Sequence, residues 1–119
     1  MAFDTSVLEQ ASTKRKSRQE ADRQALLTRV ISTLYQPARS YPFTQGIIFG
    51  SLIQPGRFHE NSDIDIAVID LPGEHFFALA AFLGQVLERD IDLLELDKVH
   101  FADKIRRKGL LWTMNRCTP

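Results

Sequence analysis

Residues 49–69 read FGSLIQPGRFHENSDIDIAVI, and the fold turns on this stretch. An apolar run ends in Gly50-Ser51, a polar loop follows, and Asp63-Ile64-Asp65 opens a second apolar run through Ile66, Ala67, Val68 and Ile69. On a strand, side chains alternate between faces, so Asp63 and Asp65 share one face while Ile64, Ile66 and Val68 are turned to the core. Two carboxylates on one exposed patch repel each other unless a cation sits between them. Mg²⁺, a hard ion that takes carboxylate oxygens and keeps several of its waters, matches that arrangement.

A third β-rich run at residues 91–96, within RDIDLLEL, puts Asp92, Leu94 and Leu96 on one face and Ile91, Leu93 and Glu95 on the other. If the second and third runs are neighbours in a sheet, Asp92 joins Asp63 and Asp65. Three carboxylates around one patch can hold two divalent ions about 3.5–4 Å apart, a device for in-line displacement at phosphorus. Asp90 lies on the same face as Asp92 but at a helix–strand junction, where a capping or solvated acid is ordinary, so Asp92 is preferred and Asp90 is the reserve. Glu95 faces the other way and reads as a surface residue or a partner for Lys or Arg. His59, His75 and His100 have no spacing typical of a shared metal site.

Gly50 and Ser51 supply a complementary feature. A glycine directly after a strand lets the backbone approach a ligand closely, and the following N–H groups with the Ser51 hydroxyl can donate to phosphate oxygens. Gly-Ser or Asp-x-Asp alone reads as a surface turn or a solvated strand end. Their combination across one strand–loop–strand unit, with a later strand-borne Asp, points to a phosphate and metal site.

Working outward, residues 46–49 form the β-rich run before the loop. Leu26, Leu27, Val30, Ile31 and Leu34 recur at helical spacing, so a helix is expected over residues 25–36, stopped by Pro37, with a turn at Tyr41-Pro42. Phe76, Leu79, Ala80, Leu83, Val86 and Leu87 line one face of a second helix over residues 74–89. A last helix is expected over residues 99–108, closed by Gly109 and followed by Leu110-Leu111-Trp112, which is either core or a partner surface. Residues 1–20 are polar with a basic cluster at Lys14, Arg15, Lys16 and Arg18, read as a solvated helix or frayed arm.

At 119 residues the chain suits one domain, short for an enzyme that must also enclose a large second substrate, so a partner is expected to supply part of the recognition. Fifteen basic and fifteen acidic residues give a formal charge of zero. Such a balance provides no field to draw the protein onto nucleic acid or an anionic membrane. One cysteine, Cys117, no secretory apolar region and no run approaching ~20 apolar residues lead to the expectation of a soluble cytoplasmic protein.

These residues resemble the DNA polymerase β-like nucleotidyltransferase superfamily, and most closely its minimal nucleotidyltransferases (MNT), the small antitoxin partners of HEPN proteins. The matching positions are Gly50 and Ser51 for the nucleotide-binding turn, Asp63 and Asp65 for the metal-binding pair, and Asp92 for the third carboxylate. IRRKGLLW, residues 105–112, is similar to the ending common in that group. The resemblance covers residues 25–112. It implies an α/β fold, a small mixed β-sheet flanked by α-helices, with residues 1–24 as a polar N-terminal helix or arm and 25–119 as the nucleotidyltransferase domain. It further implies two Mg²⁺ ions on Asp63, Asp65 and Asp92, ATP as substrate, and Asp92 as acceptor of a proton. The implied activity is protein adenylylation (AMPylation), transferring AMP to a tyrosine of a HEPN ribonuclease toxin and so blocking it.

Two features depart from the family pattern. Eleven residues separate Ser51 from Asp63, one more than is usual, and Leu52-Ile53-Gln54-Pro55 stands where the family tends to place an arginine. Arg57 is the nearest cation for a phosphate, a solvated loop arginine being its other reading. The alternatives to the adenylylating antitoxin are an antitoxin that neutralises its partner by binding alone, and a small-molecule nucleotidyltransferase, which would need a further acceptor-binding domain.

Overall fold

The computed structural model describes residues 6–40, 43 and 45–113. Helix α1 (Ser6–Ser40) is followed by β1 (Gln45–Phe49), a 3₁₀ turn (Gly50–Ile53), β2 (Ile64–Ile69), α2 (Gly73–Leu87), β3 (Ile91–Glu95), a second 3₁₀ turn (Leu96–Lys98), α3 (Ala102–Lys108) and β4 (Leu110–Thr113). The strands form one mixed sheet in the order β3-β2-β1-β4. β2 and β3 are parallel, joined by the α2 crossover, and β1 is antiparallel to both β2 and β4. This is an α/β fold of four strands with flanking helices, as expected.

Side-chain alternation sorts the sheet into two apolar layers. On one face Ile48, Ile64, Ile66, Val68 and Leu93 pack with Val30 and Leu34 of α1 and with Leu79, Leu83 and Leu87 of α2. Ile64, Ile66 and Val68 are thus core residues, as read from the sequence. The opposite face is not left to solvent, which corrects the simpler picture of one buried face. Ile47 and Ala67 are buried there with Leu96 and Ile105, and Leu94, Val99 and Ala102 pack around them. Asp65 and Asp92 belong to this second face by alternation, at the strand ends where its apolar cover stops.

Two helices differ from expectation by more than two residues. α1 continues unbroken through Pro37 to Ser40 and extends back to Ser6, so described residues 6–24 are helical. A mid-helix proline costs about 3 kcal/mol, by a lost hydrogen bond and a clash with the preceding turn. Here Pro37 lies in the last turn, where only three residues continue the helix, and its side chain is buried. From Val7 to Asp22 nearly every side chain is exposed, and Arg23 is the first buried one. α3 starts at Ala102 rather than 99, because Val99 closes a 3₁₀ turn on Leu96 through a 3.4 Å backbone hydrogen bond. The expected turn at Tyr41-Pro42 lies outside the described residues, as does Cys117. No helix among the described residues is long and apolar enough to cross a membrane.

β4 was legible only as an apolar segment. Its four residues give no alternating pattern, since Leu110 and Leu111 are exposed and Trp112 alone is buried, against Phe43 and edge-on to Tyr35. Gly109 makes the strand possible. A Cβ there would press on Ile47 and stand 2.7 Å from the Ile105 carbonyl oxygen and 3.2 Å from that of Ile48. Gly109→Ala should therefore destabilise the protein by roughly 1–3 kcal/mol, the range for overpacking a filled site. Urea unfolding checks this, and an unchanged midpoint would contradict the packing described.

Candidate active site

Strand pairing brings the sequence-identified residues to one end of the sheet. Parallel pairing of β2 with β3 sets Asp65 directly beside Asp92, and antiparallel pairing with β1 sets Phe49 beside Asp65 on its other flank. The residue after Phe49 is Gly50, at φ 75°, a conformation that favours glycine. A Cβ on Gly50 would fall on the Asp65 carboxylate, 3.0 Å from its Cγ. The turn and the carboxylate consequently occupy one site, and the missing side chain is what keeps that space open. Asp63 precedes β2 on the same face and is exposed, as is Asp92, while Asp65 is half-buried.

The electrostatics follow from this crowding. Burial, then the charge of Asp92, then that of Asp63, pushes the Asp65 carboxyl up to about 6. No described lysine or arginine forms an ion pair with any of the three; the charged pairs are Arg23–Glu20, Lys98–Glu95 and, if protonated, His75–Glu74. An unneutralised cluster of hard oxygen donors suits a divalent cation. Among the described residues, no group of three His, Cys, Asp or Glu side chains is placed to hold a metal ion by itself. Mg²⁺ seldom requires one, since it is commonly held by one or two carboxylates with substrate phosphates completing the shell. Asp65 and Asp92, side by side in register, could supply carboxylates to such an ion, and Asp63 is the third acid near them.

The turn beside them is held from outside. Gly50–Ile53 forms a 3₁₀ turn that its N-cap Phe49 leaves without a side-chain acceptor. Gln54 Nε2 donates to the Gly50 carbonyl at 3.1 Å, and the buried Arg23 donates from Nη1 to the Leu52 carbonyl at 3.0 Å. Arg23 is itself fixed by Glu20, whose carboxyl Arg23 and then Gln24 hold down at about 2. Ser51, half-buried, has no hydrogen bond from its hydroxyl to any described residue. Arg57, by contrast, is exposed and makes a 3.1 Å backbone bond to Gln54.

Arg89 performs the equivalent service for the loop that delivers Asp63. Its Nη2 donates to the carbonyls of His59, Glu60 and Ser62 at 3.2, 2.9 and 2.6 Å, and its guanidinium lies 4.7 Å from the Phe58 ring centroid. Arg23 and Arg89 were both missed from sequence. Arg23 carried a readable signal, because it lies three and four residues before Leu26 and Leu27 on the apolar stripe of α1. Arg89 carried none. Asp90 is exposed and is not among the causes of the Asp65 shift, which favours Asp92. Glu95 pairs with Lys98 at 2.6 Å, as its strand face suggested. The histidines are separate: His59 Nδ1 accepts from Asn61 N, His75 lies near Glu74, and His100 stacks edge-on against Phe101.

A cleft of about 420 Å³ opens against Gly50, lined by Phe49, Ile53 and Gln54 on one side and Phe101, Lys104, Ile105 and Lys108 on the other. A cavity of about 550 Å³ between α1, the β1–β2 loop at Phe58, His59 and Glu60, and the end of α2 includes none of the three carboxylates and is set apart from this chemistry.

Residues 43–115 match the family described as "Polymerase beta, Nucleotidyltransferase". The chain is also similar to a solved structure described as "Crystal structure of the toxin-antitoxin with AMP-PNP", with 31% identity and a TM-score of 0.51. That likeness covers 62% of this chain and 64% of the other, so this chain spans less than two thirds of that chain's length. No curated protein matches.

Asp65 yields a pH test. Its carboxyl protonates near 3.8 when unfolded and about 6 when folded, so the folded state holds the extra proton. The associated stability is fully present below pH 3.8 and is lost as pH rises through about 6. In EDTA, Asp65→Asn should melt higher than wild type above that window and equally below it, with the gain blunted by partial exposure of the group. A variant that melts lower than wild type at pH 8 would contradict the repulsion.

Proposed function

Because the chain belongs to the polymerase β nucleotidyltransferase family, we propose that it is a Mg²⁺-dependent nucleotidyltransferase that acts as an antitoxin, adenylylating a tyrosine of a HEPN ribonuclease toxin in the cytoplasm. The observation that carries the reading is the register that puts Asp65 beside Asp92, with Gly50 against the same carboxylate. Likeness to a toxin–antitoxin structure with AMP-PNP supports both a toxin partner and ATP as the nucleotide.

Each residue has a physical role on this reading. Asp63, Asp65 and Asp92 would hold two Mg²⁺ ions, which when bound neutralise triphosphate charge and lower the pKa of an acceptor hydroxyl. Gly50 lets the backbone of the turn approach the phosphates, and Ser51 offers them its unengaged hydroxyl. Asp92 is exposed and can reach an acceptor brought by a partner. It takes the phenol proton as the phenolic oxygen attacks the α-phosphorus, a new P–O bond forms, and pyrophosphate leaves in line. Arg23 and Arg89 act through the loops they hold. The Arg57 assignment rests on sequence proximity alone, since its exposed loop position is outside the cleft beside Gly50.

A second reading, neutralisation by binding alone, draws on one observation: Asp63 and Asp92 are exposed and do not close into a cage with Asp65. One experiment separates the two. Incubated with ATP, Mg²⁺ and the toxin encoded beside it, the protein should add AMP mass to a toxin tyrosine. Asp92→Asn should lower that rate by at least about 100-fold, the lower end of general-base contributions, while leaving the complex intact. Neutralisation with no added mass, equally strong in Asp92→Asn, would replace the catalytic reading with the binding one.

A further inference from the structure

The cleft beside Gly50 contains two cations that neither the motif nor the mechanism above uses. Lys104 and Lys108 are both exposed on α3 and lie four residues apart, hence on one helical face. Among the described residues they are the only ionisable groups lining the cleft, and neither has an ion-pair partner there. Facing them across the cleft are Phe49, Gly50, Ile53 and Gln54, with Phe101 and Ile105 completing apolar walls.

We infer that this cleft seats the nucleoside triphosphate, with the Lys104 and Lys108 ammonium groups gripping its phosphate oxygens. The inference rests on the nucleotidyltransferase reading and supplies what the sequence lacked, a cation in place of the arginine absent from Leu52-Ile53-Gln54-Pro55. Gly50 links the two halves of the site, because it lines the cleft and also abuts the Asp65 carboxylate. A polyanion lying along that glycine would have carboxylates, and any cation they hold, on one flank and lysines on the other. Its apolar neighbours Phe49, Ile53, Phe101 and Ile105 offer a surface for an aromatic base. A cleft of about 420 Å³ is of the size that encloses a small ligand.

A purely structural role for the same lysines is also definable. Lys108, in the last turn of α3, complements the negative end of its dipole, whereas Lys104 lies nearer the helix start. Arg106 and Arg107 lie in that turn too, yet neither lines the cleft. They separate a dipole effect from a contact with ligand.

The test is Mg²⁺·AMP-PNP binding by calorimetry. Wild type should bind, Lys104→Gln/Lys108→Gln should bind at least about tenfold more weakly, and Arg106→Gln should stay within about twofold. Lys104→Arg/Lys108→Arg should recover most of the loss, since charge is retained at both positions. Both lysines are exposed, so the ligand-free melting temperature should hold in every variant. If wild type binds and the double Gln variant binds equally, or if Arg106→Gln loses as much, the lysine assignment is overturned while the nucleotidyltransferase reading stands. If wild type itself does not bind, both are overturned.

Discussion

The like-charge contact between Asp65 and Asp92 is the constraint around which this molecule is arranged. Parallel pairing of β2 and β3 forces the two carboxyls side by side, and the burial of Asp65 raises the cost of ionising it. Nothing in the apolar layers demands this. Ile64, Ile66, Val68, Ile91 and Leu93 would pack on the opposite face whatever stood at positions 65 and 92. The fold therefore tolerates a local penalty at the end of an otherwise apolar sheet, and a divalent ion is the species that would turn that penalty into binding energy.

Where the nearby arginines direct their charge strengthens this view. Arg23 is turned toward Glu20 and the Leu52 carbonyl, and Arg89 toward three loop carbonyls and the Phe58 ring. Neither forms an ion pair with Asp63, Asp65 or Asp92. Instead they fix the two ends of the long β1–β2 connection, one just after Gly50-Ser51 and one just before Asp63. The cluster stays negative and its loops stay placed. Such preorganisation lowers the ordering cost when ligand arrives.

Much of this was legible in residues 49–69 because the signals are short-range. Alternation assigned faces to β2 and β3, and a glycine after a strand marked the turn; both are local steric facts. Adjacency of β2 and β3 could only be assumed from sequence, and the register supplied it. What stayed hidden depends on distant contacts. β4 is an edge strand whose one buried residue, Trp112, is defined by Phe43 and β1, so no pattern within four residues could announce it. Pro37 read as a helix stop because its penalty was assigned to a helix interior, whereas it sits in a last turn. Arg89 looked like one more charge at a helix–strand junction, since its acceptors lie 27 to 30 residues away. Lys104 and Lys108 carried no sequence signal, because only the packing of α3 makes it a wall of the cleft beside Gly50.

The central proposal is that Asp65 and Asp92, set side by side by strand register, hold a divalent cation together with Asp63. Paramagnetic Mn²⁺, which takes the same hard oxygen ligands as Mg²⁺, reports location directly by broadening nearby amide signals in an NMR spectrum. Titrated into ¹⁵N-labelled protein with AMP-PNP, Mn²⁺ should broaden the amides of Gly50, Ser51, Asp63, Ile64, Asp65 and Asp92 first, leaving those of α2 sharp. The loss should vanish in Asp63→Asn/Asp65→Asn. Broadening centred elsewhere, or unchanged in that variant, would contradict the account.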